Sequence, residues 1–185
     1  MNNIVDFIID VFLKKGHELY GGEAVTQLEH GLQAAHFAKE SNASENLIAA
    51  ALMHDIGHLL HDLPDDATNN GIDDVHEALG AEFLIQYFKE EVVEAVKLHV
   101  PAKRYLCLVD PEYYEALSSV SKASLILQGG IMSMEEKNNF ELNEYFKEAV
   151  ALRRWDDQAK IPNLKVDDIY TYRSILEQSL LKNSL

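Results

Sequence analysis

A histidine–aspartate pair interrupts an apolar helical run near the middle of the chain, between Ala49 and Leu60. Counting back three and four residues from either member of the pair reaches only alanine or leucine, so both side chains leave a helix that is apolar on nearly every face. A buried carboxylate is costly unless it is paired or coordinates a metal ion. His54 and Asp55 therefore indicate either a hydrogen-bonded pair in the core or part of a metal site.

Helical periodicity dominates the rest of the chain, and no alternating run is long enough to build a sheet. At 185 residues the chain is long enough for one domain with a substantial core. We therefore predict a single all-α domain over residues 1–185, folded as a helical bundle. Helices are predicted at residues 3–15, 27–41, 45–60, 74–89, 90–99, 111–117, 119–128, 141–159 and 167–182.

Several local signals separate these helices. Ser44 is a predicted N-cap of the central helix, and Gly129-Gly130 is predicted to end a later one. Pro101 and Pro162 are predicted to mark two more breaks. Residues 63–71 are polar and rich in helix breakers, which predicts a loop.

The charge of the chain restricts its partners. It has 31 acidic and 16 basic residues, a formal net charge of −15, which argues against nucleic acid and against an anionic membrane surface. The apolar N-terminal run contains Asp6 and Asp10 and reads as an amphipathic helix, not as a signal peptide. The single cysteine, Cys107, cannot form an internal disulfide, lies in an apolar segment that predicts a core position, and fits a reducing cytoplasm.

Three further histidines lie on apolar helix faces. His76 begins an apolar stripe, His99 ends one, and His30 shares a face with alanine and phenylalanine. One such histidine is usually a core residue hydrogen-bonded to a carbonyl group, but four of them together with Asp55 favour metal ligation. Three other histidines are predicted to be ordinary surface or core residues: His17, His36 and His61.

A second aspartate pair lies near the end of a later predicted helix. Asp156 falls on the apolar stripe of that helix, whereas Asp157 aligns with two arginines. We predict that Asp156 faces the core and that Asp157 is the one that can be a solvated charge.

Taken in order, these residues resemble a known family. The stretch His54-Asp55-Ile56-Gly57-His58 resembles the signature of the HD-domain superfamily, helical metalloproteins that are mostly phosphohydrolases. Four other stretches, between about residues 20 and 160, resemble its mixed-valent diiron oxygenase branch, and in particular the enzymes that cleave the C–P bond of 2-amino-1-hydroxyethylphosphonate. These stretches are Tyr20–Glu23 with Val25–His30, His99–Leu106, Ser121–Gly130 and Arg153–Lys160.

The resemblance implies a set of metal ligands. One iron would be bound by His30, His54, Asp55 and Asp156, and the other by His76 and His99, with Asp55 bridging the two. Six protein ligands on two irons leave positions for substrate and O2.

The resemblance also implies substrate contacts, most of which have an alternative explanation. Lys103 and His58 would bind a phosphonate group, although a lysine is more often at the surface. Ser121 and Ser124 would also contact the phosphonate through hydroxyl and backbone N–H groups. The alternative is that both are ordinary N-cap serines. Tyr20 would guard an open iron position and Glu23 would receive the substrate amine, or their segment is only a helix-capping loop. Tyr20, Glu23, His58 and Lys103 are the predicted catalytic residues.

The implied function is the O2-dependent cleavage of the C–P bond of a small 1-hydroxyphosphonate. For 2-amino-1-hydroxyethylphosphonate the products are glycine and phosphate, the cofactors are Fe(II) and Fe(III), and O2 is the co-substrate. Two alternatives remain open: a metal-dependent phosphohydrolase acting on a nucleotide or another phosphate ester, and a non-catalytic helical module with a vestigial site. Metal content and oxygen dependence separate the three. The sequence does not specify the substituent at the amine end of the substrate, which the loop at residues 63–73 would help to select. It does not specify the oligomeric state either.

Overall fold

The computed structural model describes residues 3–60 and 75–182, and the predicted 63–71 loop and His61 lie outside these ranges. The described elements are α1 (Ile4–Lys15), α2 (Gln27–Glu40), α3 (Glu45–Met53), α4 (Ile56–Leu60), α5 (His76–Leu84), α6 (Glu90–Val109), α7 (Pro111–Ala116), α8 (Ser119–Leu127), α9 (Met134–Glu141), α10 (Phe146–Gln158), a 3-10 turn (Ile169–Tyr172) and α11 (Arg173–Gln178). Within those ranges there are two isolated β-bridges and no strand. The predicted all-α class is confirmed, while the prediction of a single domain over the whole chain stays a prediction.

Helix α3 is the centre of the bundle. Every residue from Leu47 to Met53 is buried, and α3 packs against α2, α6, α10 and α11. The predicted N-cap is present, since the Ser44 hydroxyl accepts a hydrogen bond from the Leu47 amide at 3.3 Å. Because α3 is buried on all sides from Leu47 onward, the two polar residues that follow its C-terminal end, His54 and Asp55, also lie in the interior of the protein.

The predicted helix at 45–60 is interrupted at the histidine–aspartate pair. Helix α3 ends at Met53, and α4 starts at Ile56 after a turn formed by His54 and Asp55. An unbroken helix would point adjacent side chains about 100° apart. His54 retains helical backbone angles (φ −57°, ψ −34°), so its side chain keeps the direction that periodicity predicts although the helix ends there.

The predicted break at Pro101 is wrong. Helix α6 continues through Pro101 to Val109. Proline cannot donate the helical hydrogen bond to the carbonyl group four residues earlier, which usually costs about 3 kcal/mol. His99, Ala102 and Lys103 are buried where α6 packs against α10, so tertiary packing offsets this cost.

Helix α9 is absent from the prediction, although its start signal is present in the sequence. Ser133 and Glu136 form a capping box, in which the serine hydroxyl accepts from the Glu136 amide and the glutamate accepts from the Ser133 amide. The predicted helix at 141–159 begins only at Phe146, and the one at 167–182 is divided into the 3-10 turn and α11. The helix end at Gly129-Gly130 is confirmed, because both glycines adopt positive φ angles.

No helix within residues 3–60 and 75–182 combines the length and apolar character needed to cross a bilayer. Cys107 is buried in a small apolar cluster with Leu106, Tyr113 and Leu125, as predicted for a core position.

Candidate metal centre

Four histidine rings converge at the end of α3. His30 comes from α2, His54 follows α3, His76 begins α5, and His99 lies in the middle of α6. Their Nε2 atoms meet in two pairs: His30 and His54 at 3.1 Å, and His76 and His99 at 3.2 Å. All four side chains are buried.

Backbone carbonyl groups fix the tautomer of three of these rings. The Nδ1 atoms of His30, His54 and His99 lie 2.6–2.9 Å from the carbonyl oxygens of Ala159, Ala51 and Val96, respectively. Because a carbonyl oxygen only accepts, each Nδ1 must carry the proton. In the neutral ring Nε2 is then a bare lone pair, directed at the other members of the cluster. Such an arrangement is repulsive without a positive charge between the nitrogens.

Asp55 lies between the two histidine pairs. Its Oδ2 is 3.5 Å from His30 Nε2 and 3.3 Å from His54 Nε2. Its Oδ1 is 3.3 Å from His76 Nε2 and 3.5 Å from His99 Nε2. Each oxygen therefore completes a separate three-atom group that could hold a metal ion.

Asp156, on α10, also contacts the first histidine pair. It is buried, with Oδ1 3.3 Å from His30 Nε2 and Oδ2 3.8 Å from His54 Nε2. Arg153 Nη1 lies 2.7 Å from the same Oδ2 and fixes the carboxylate in place. The core-facing position predicted for Asp156 agrees with the structure.

The charges of the cluster also favour a cation. Both oxygens of Asp55 and Oδ1 of Asp156 are buried with no hydrogen-bond partner among the described residues. Burial opposes a charge on His54, but the carboxylates of Asp55 and Asp156 outweigh it and raise the pKa of this histidine to about 9. Ligands at about 2.1 Å from a metal ion lie roughly 3.0–3.4 Å apart, which matches the observed nitrogen–oxygen distances. The donor set therefore fits two metal ions that share Asp55.

Gly57 allows α4 to approach the backbone of the candidate ligand His76. A Cβ atom at Gly57 would overlap the His76 carbonyl oxygen and lie 2.7 Å from its carbonyl carbon. We expect Gly57→Ala to lower the free energy of unfolding of the metal-free protein by about 3 kcal/mol, measured by chemical denaturation. At Gly80, on α5, the nearest atom to an added Cβ is 3.4 Å away, so Gly80→Ala is the matched control. Equal effects of the two substitutions would contradict the steric explanation.

A buried lysine lies beside the metal cluster. Lys103 follows His99 by one turn of α6 and is only 2% exposed, so the surface alternative is wrong. Its Nζ donates to Ser124 Oγ at 2.9 Å. Burial, and then the positive charge of Arg153, lowers the pKa of Lys103 to about 7. A buried ammonium group that is held by a hydroxyl group is suited to bind an anion.

The two predicted serines lie within α8, and neither is its N-cap. Ser118 caps this helix by accepting from the Ser121 amide at 3.1 Å. The Ser121 hydroxyl accepts from Lys160 Nζ at 3.0 Å, and the Ser124 hydroxyl donates to the Ser121 carbonyl oxygen at 3.2 Å. Ser121 and Ser124 thus link two lysines, one from α6 and one that follows α10.

Tyr20 and His58 cover the cluster on another side. The Tyr20 ring stacks on His30 with a centroid distance of 3.8 Å, and His58 stacks on His76 at 4.1 Å. The two outer rings meet edge to face at 6.5 Å. Burial, followed by the negative charges of Asp156 and Asp55, raises the pKa of Tyr20 well above its ordinary value, so its phenol stays protonated.

Glu23 lies at the edge of the site and already has partners. It accepts a hydrogen bond from Ser118 Oγ at 2.7 Å, and Lys160 Nζ is 3.7 Å from the same Oε1. The three residues line part of a pocket of about 530 Å³, to which Tyr113 and Asp157 also contribute.

The HD domain family matches this chain over residues 28–126, a range that includes every candidate ligand except Asp156. A hydroxymethylphosphonate dioxygenase from Gimesia maris is 46% identical over 95% of this chain and 88% of its own length. This protein is a member of the HD-domain family that contains the phosphonate dioxygenases. A [1-hydroxy-2-(trimethylamino)ethyl]phosphonate dioxygenase from Leisingera caerulea is 39% identical over 98% of this chain and 92% of its own. An uncharacterized protein of Acanthamoeba polyphaga mimivirus is 34% identical over 97% of this chain and 83% of its own length.

In this HD-domain protein the predicted ligands lie together, and residues that the sequence does not single out lie beside them. The six candidates, each within 3.5 Å of another member of the cluster, are His30, His54, Asp55, His76, His99 and Asp156. Asp157 is no solvated charge, because it pairs with Arg153 and accepts from the Tyr113 hydroxyl. Periodicity assigns no role to Arg153, Lys160 or Ser118, since it does not report partners that are distant in sequence. His17 is exposed and His36 half-buried.

Proposed function

We propose that this chain is a diiron dioxygenase that cleaves the C–P bond of a small 1-hydroxyphosphonate. Our candidate reaction converts 2-amino-1-hydroxyethylphosphonate and O2 into glycine and phosphate, so that O2 supplies the two additional oxygen atoms of the products. The observation that carries the proposal is the position of Asp55, whose two oxygens face two separate pairs of histidine nitrogens. The names of the two dioxygenase relatives support the reaction class.

The donor set supports iron as the metal. It consists of imidazole nitrogens and carboxylate oxygens without a thiolate, a combination that suits Fe, Mn or Zn, and of these iron readily provides the redox chemistry with O2. When bound as an Fe(II)/Fe(III) pair, the metal would activate O2 and hold the substrate oxygens. One ion would be held by His30, His54, Asp55 and Asp156, and the other by Asp55, His76 and His99.

The polar groups beside the cluster would orient the substrate. Lys103 would bind the phosphonate, with Ser121 and Ser124 fixing the direction of its ammonium group. His58, stacked on His76, would donate to the same anion. The neutral phenol of Tyr20 covers the first histidine pair, where it would exclude water until substrate enters. Glu23 would face the substituent at carbon 2.

A second candidate substrate is hydroxymethylphosphonate, which has no amine. Two observations favour it: the Gimesia maris relative is named for that substrate, and Glu23 has a cationic partner of its own in Lys160. The reaction class is the same, with formate and phosphate as products.

Phosphate release by the iron-loaded protein tests the proposal. Both hydroxyphosphonates and, in separate samples, phosphate esters are supplied in air and under argon, and phosphate is measured together with glycine or formate. Release that requires O2 supports the oxygenase. Hydrolysis of phosphate esters at the same rate under argon would instead identify a metal-dependent phosphohydrolase.

The pKa of Lys103 predicts how phosphonate binding varies with pH. Only the protonated amine attracts the anion, so this contribution is present below pH 7 and is lost as the pH rises through about 7. We expect the ratio of Kd for Lys103→Met to Kd for the wild type to fall as the pH rises from about 6 to about 8.5. The ratio cancels the titration of the phosphonate itself. A ratio that does not vary with pH, measured by calorimetry, would contradict this role of the protonated lysine.

A further inference from the structure

Lys160 lies between the two ends of the proposed substrate site. Its Nζ donates to Ser121 Oγ at 3.0 Å, lies 3.7 Å from Glu23 Oε1, and is 3.9 Å from Asp157 Oδ1. It also lies 5.7 Å from the centroid of the Tyr20 ring. The Lys160 side chain is 13% exposed and that of Glu23 is 17% exposed, so their interaction is only partly screened by water.

The Lys160 ammonium group occupies the position beside Glu23 that a substrate amine would need. Glu23 is the carboxylate at the edge of the site, and its Oε1 already interacts with the Ser118 hydroxyl and the Lys160 cation. A positively charged substituent must therefore compete with Lys160 for Glu23. A substrate without an amine does not have to compete, and it leaves no buried carboxylate without a counter-ion.

We propose that Lys160 is a specificity-determining residue, an internal counter-ion that neutralises Glu23 and so weakens selection for an amine on the substrate. This inference rests on the proposed function, because it assumes that a phosphonate binds beside the metal cluster. It assigns the protein to small hydroxyphosphonates both with and without a cationic substituent.

If Lys160 neutralises Glu23, removing its charge should change the selectivity for an amine on the ligand. A lysine that binds the phosphonate would not produce this change. Lys160→Met keeps the length of the side chain and removes its charge, which leaves Glu23 free for a substrate ammonium group. We expect the preference for 2-aminoethylphosphonate over ethylphosphonate to rise roughly tenfold in Lys160→Met. These two ligands differ only in the amine. Both lack the hydroxyl group on the carbon bonded to phosphorus, so their affinities are measured without turnover.

The experiment is isothermal titration calorimetry of both ligands with the iron-loaded wild type, Lys160→Met, Glu23→Gln and the double variant. The rise in amine preference must disappear when Glu23→Gln is already present. Lys165→Met, at an exposed lysine of the following loop, is the control and should leave the preference unchanged. Lys160→Gln replaces Lys160→Met if the latter does not keep the wild-type Tm.

The possible outcomes separate the two proposals. Loss of affinity for both ligands by the same factor would assign Lys160 to the phosphonate group and overturn the specificity role. The same would follow if the preference did not change. If the wild type binds neither ligand and releases no phosphate from either hydroxyphosphonate, the proposed function itself is wrong, and this inference fails with it.

Discussion

Asp55→Ala is expected to remove both irons from the protein and to abolish phosphate release. The two oxygens of this carboxylate lie against different histidine pairs, so a single substitution removes a ligand and a negative charge from each group. We expect the affinity for both irons to fall by more than roughly 100-fold. The measurement is iron per chain after reconstitution and desalting, together with single-turnover activity.

Two other aspartates provide the comparison for this experiment. Asp156 contacts only the first histidine pair, so Asp156→Ala should lose one iron and keep the other. Asp10, on the exposed face of α1, is the control, and Asp10→Ala should keep both. Normal iron content in Asp55→Ala would refute the bridging role.

Unfolding is the other way in which this substitution could remove iron, so stability is measured beside it. Burial opposes a charge on His54, but the Asp55 carboxylate, 3.3 Å from His54 Nε2, helps to raise the pKa of this histidine to about 9. Removing one partner of a buried ion pair is destabilising, so metal-free Asp55→Ala should have a lower Tm than the metal-free wild type. Iron content is therefore measured well below the Tm of the variant, with circular dichroism showing that both proteins are folded.

Lys103→Met should keep both irons and lose most of the catalytic efficiency. The ammonium group is buried, donates to Ser124, and belongs to α6 one turn after the candidate ligand His99. Removing a buried charge-assisted contact with the phosphonate should lower kcat/KM by roughly 100-fold, mainly through KM. Initial rates over a range of substrate concentration, with iron content determined on the same samples, provide the measurement.

The control for this variant lies on the same helix. Lys97 is 55% exposed and pairs with Glu94, so Lys97→Met should leave kcat/KM unchanged. An unchanged KM in Lys103→Met would remove Lys103 from the substrate site. A loss of iron in that variant would show that the lysine acts on the ligands and not on the substrate.

Local sequence signals predicted most of the helices and failed where packing or a turn prevailed over them. The apolar stripes of α1, α2 and α3 and the Ser44 N-cap are local, because they depend on residues three or four positions apart. The continuation of α6 through Pro101 depends on burial against α10, which periodicity does not report. The missed α9 is different, since the capping box from Ser133 to Glu136 was there to be recognised.

The sequence by itself determined the all-α class through helical periodicity, and its motifs showed the resemblance to the family. It also determined which histidines and aspartates are candidate ligands, because their apolar helical context makes them conspicuous. Only the tertiary structure decided that Asp55 faces both histidine pairs, that Lys103 is buried, and that Lys160 lies against Glu23. These contacts join α2, α3, α5, α6 and α10, or the segments beside them, across stretches of chain that no local pattern spans. The physical reason is that a helical pattern fixes which face a side chain occupies, whereas the partner on that face is fixed by how the helices pack.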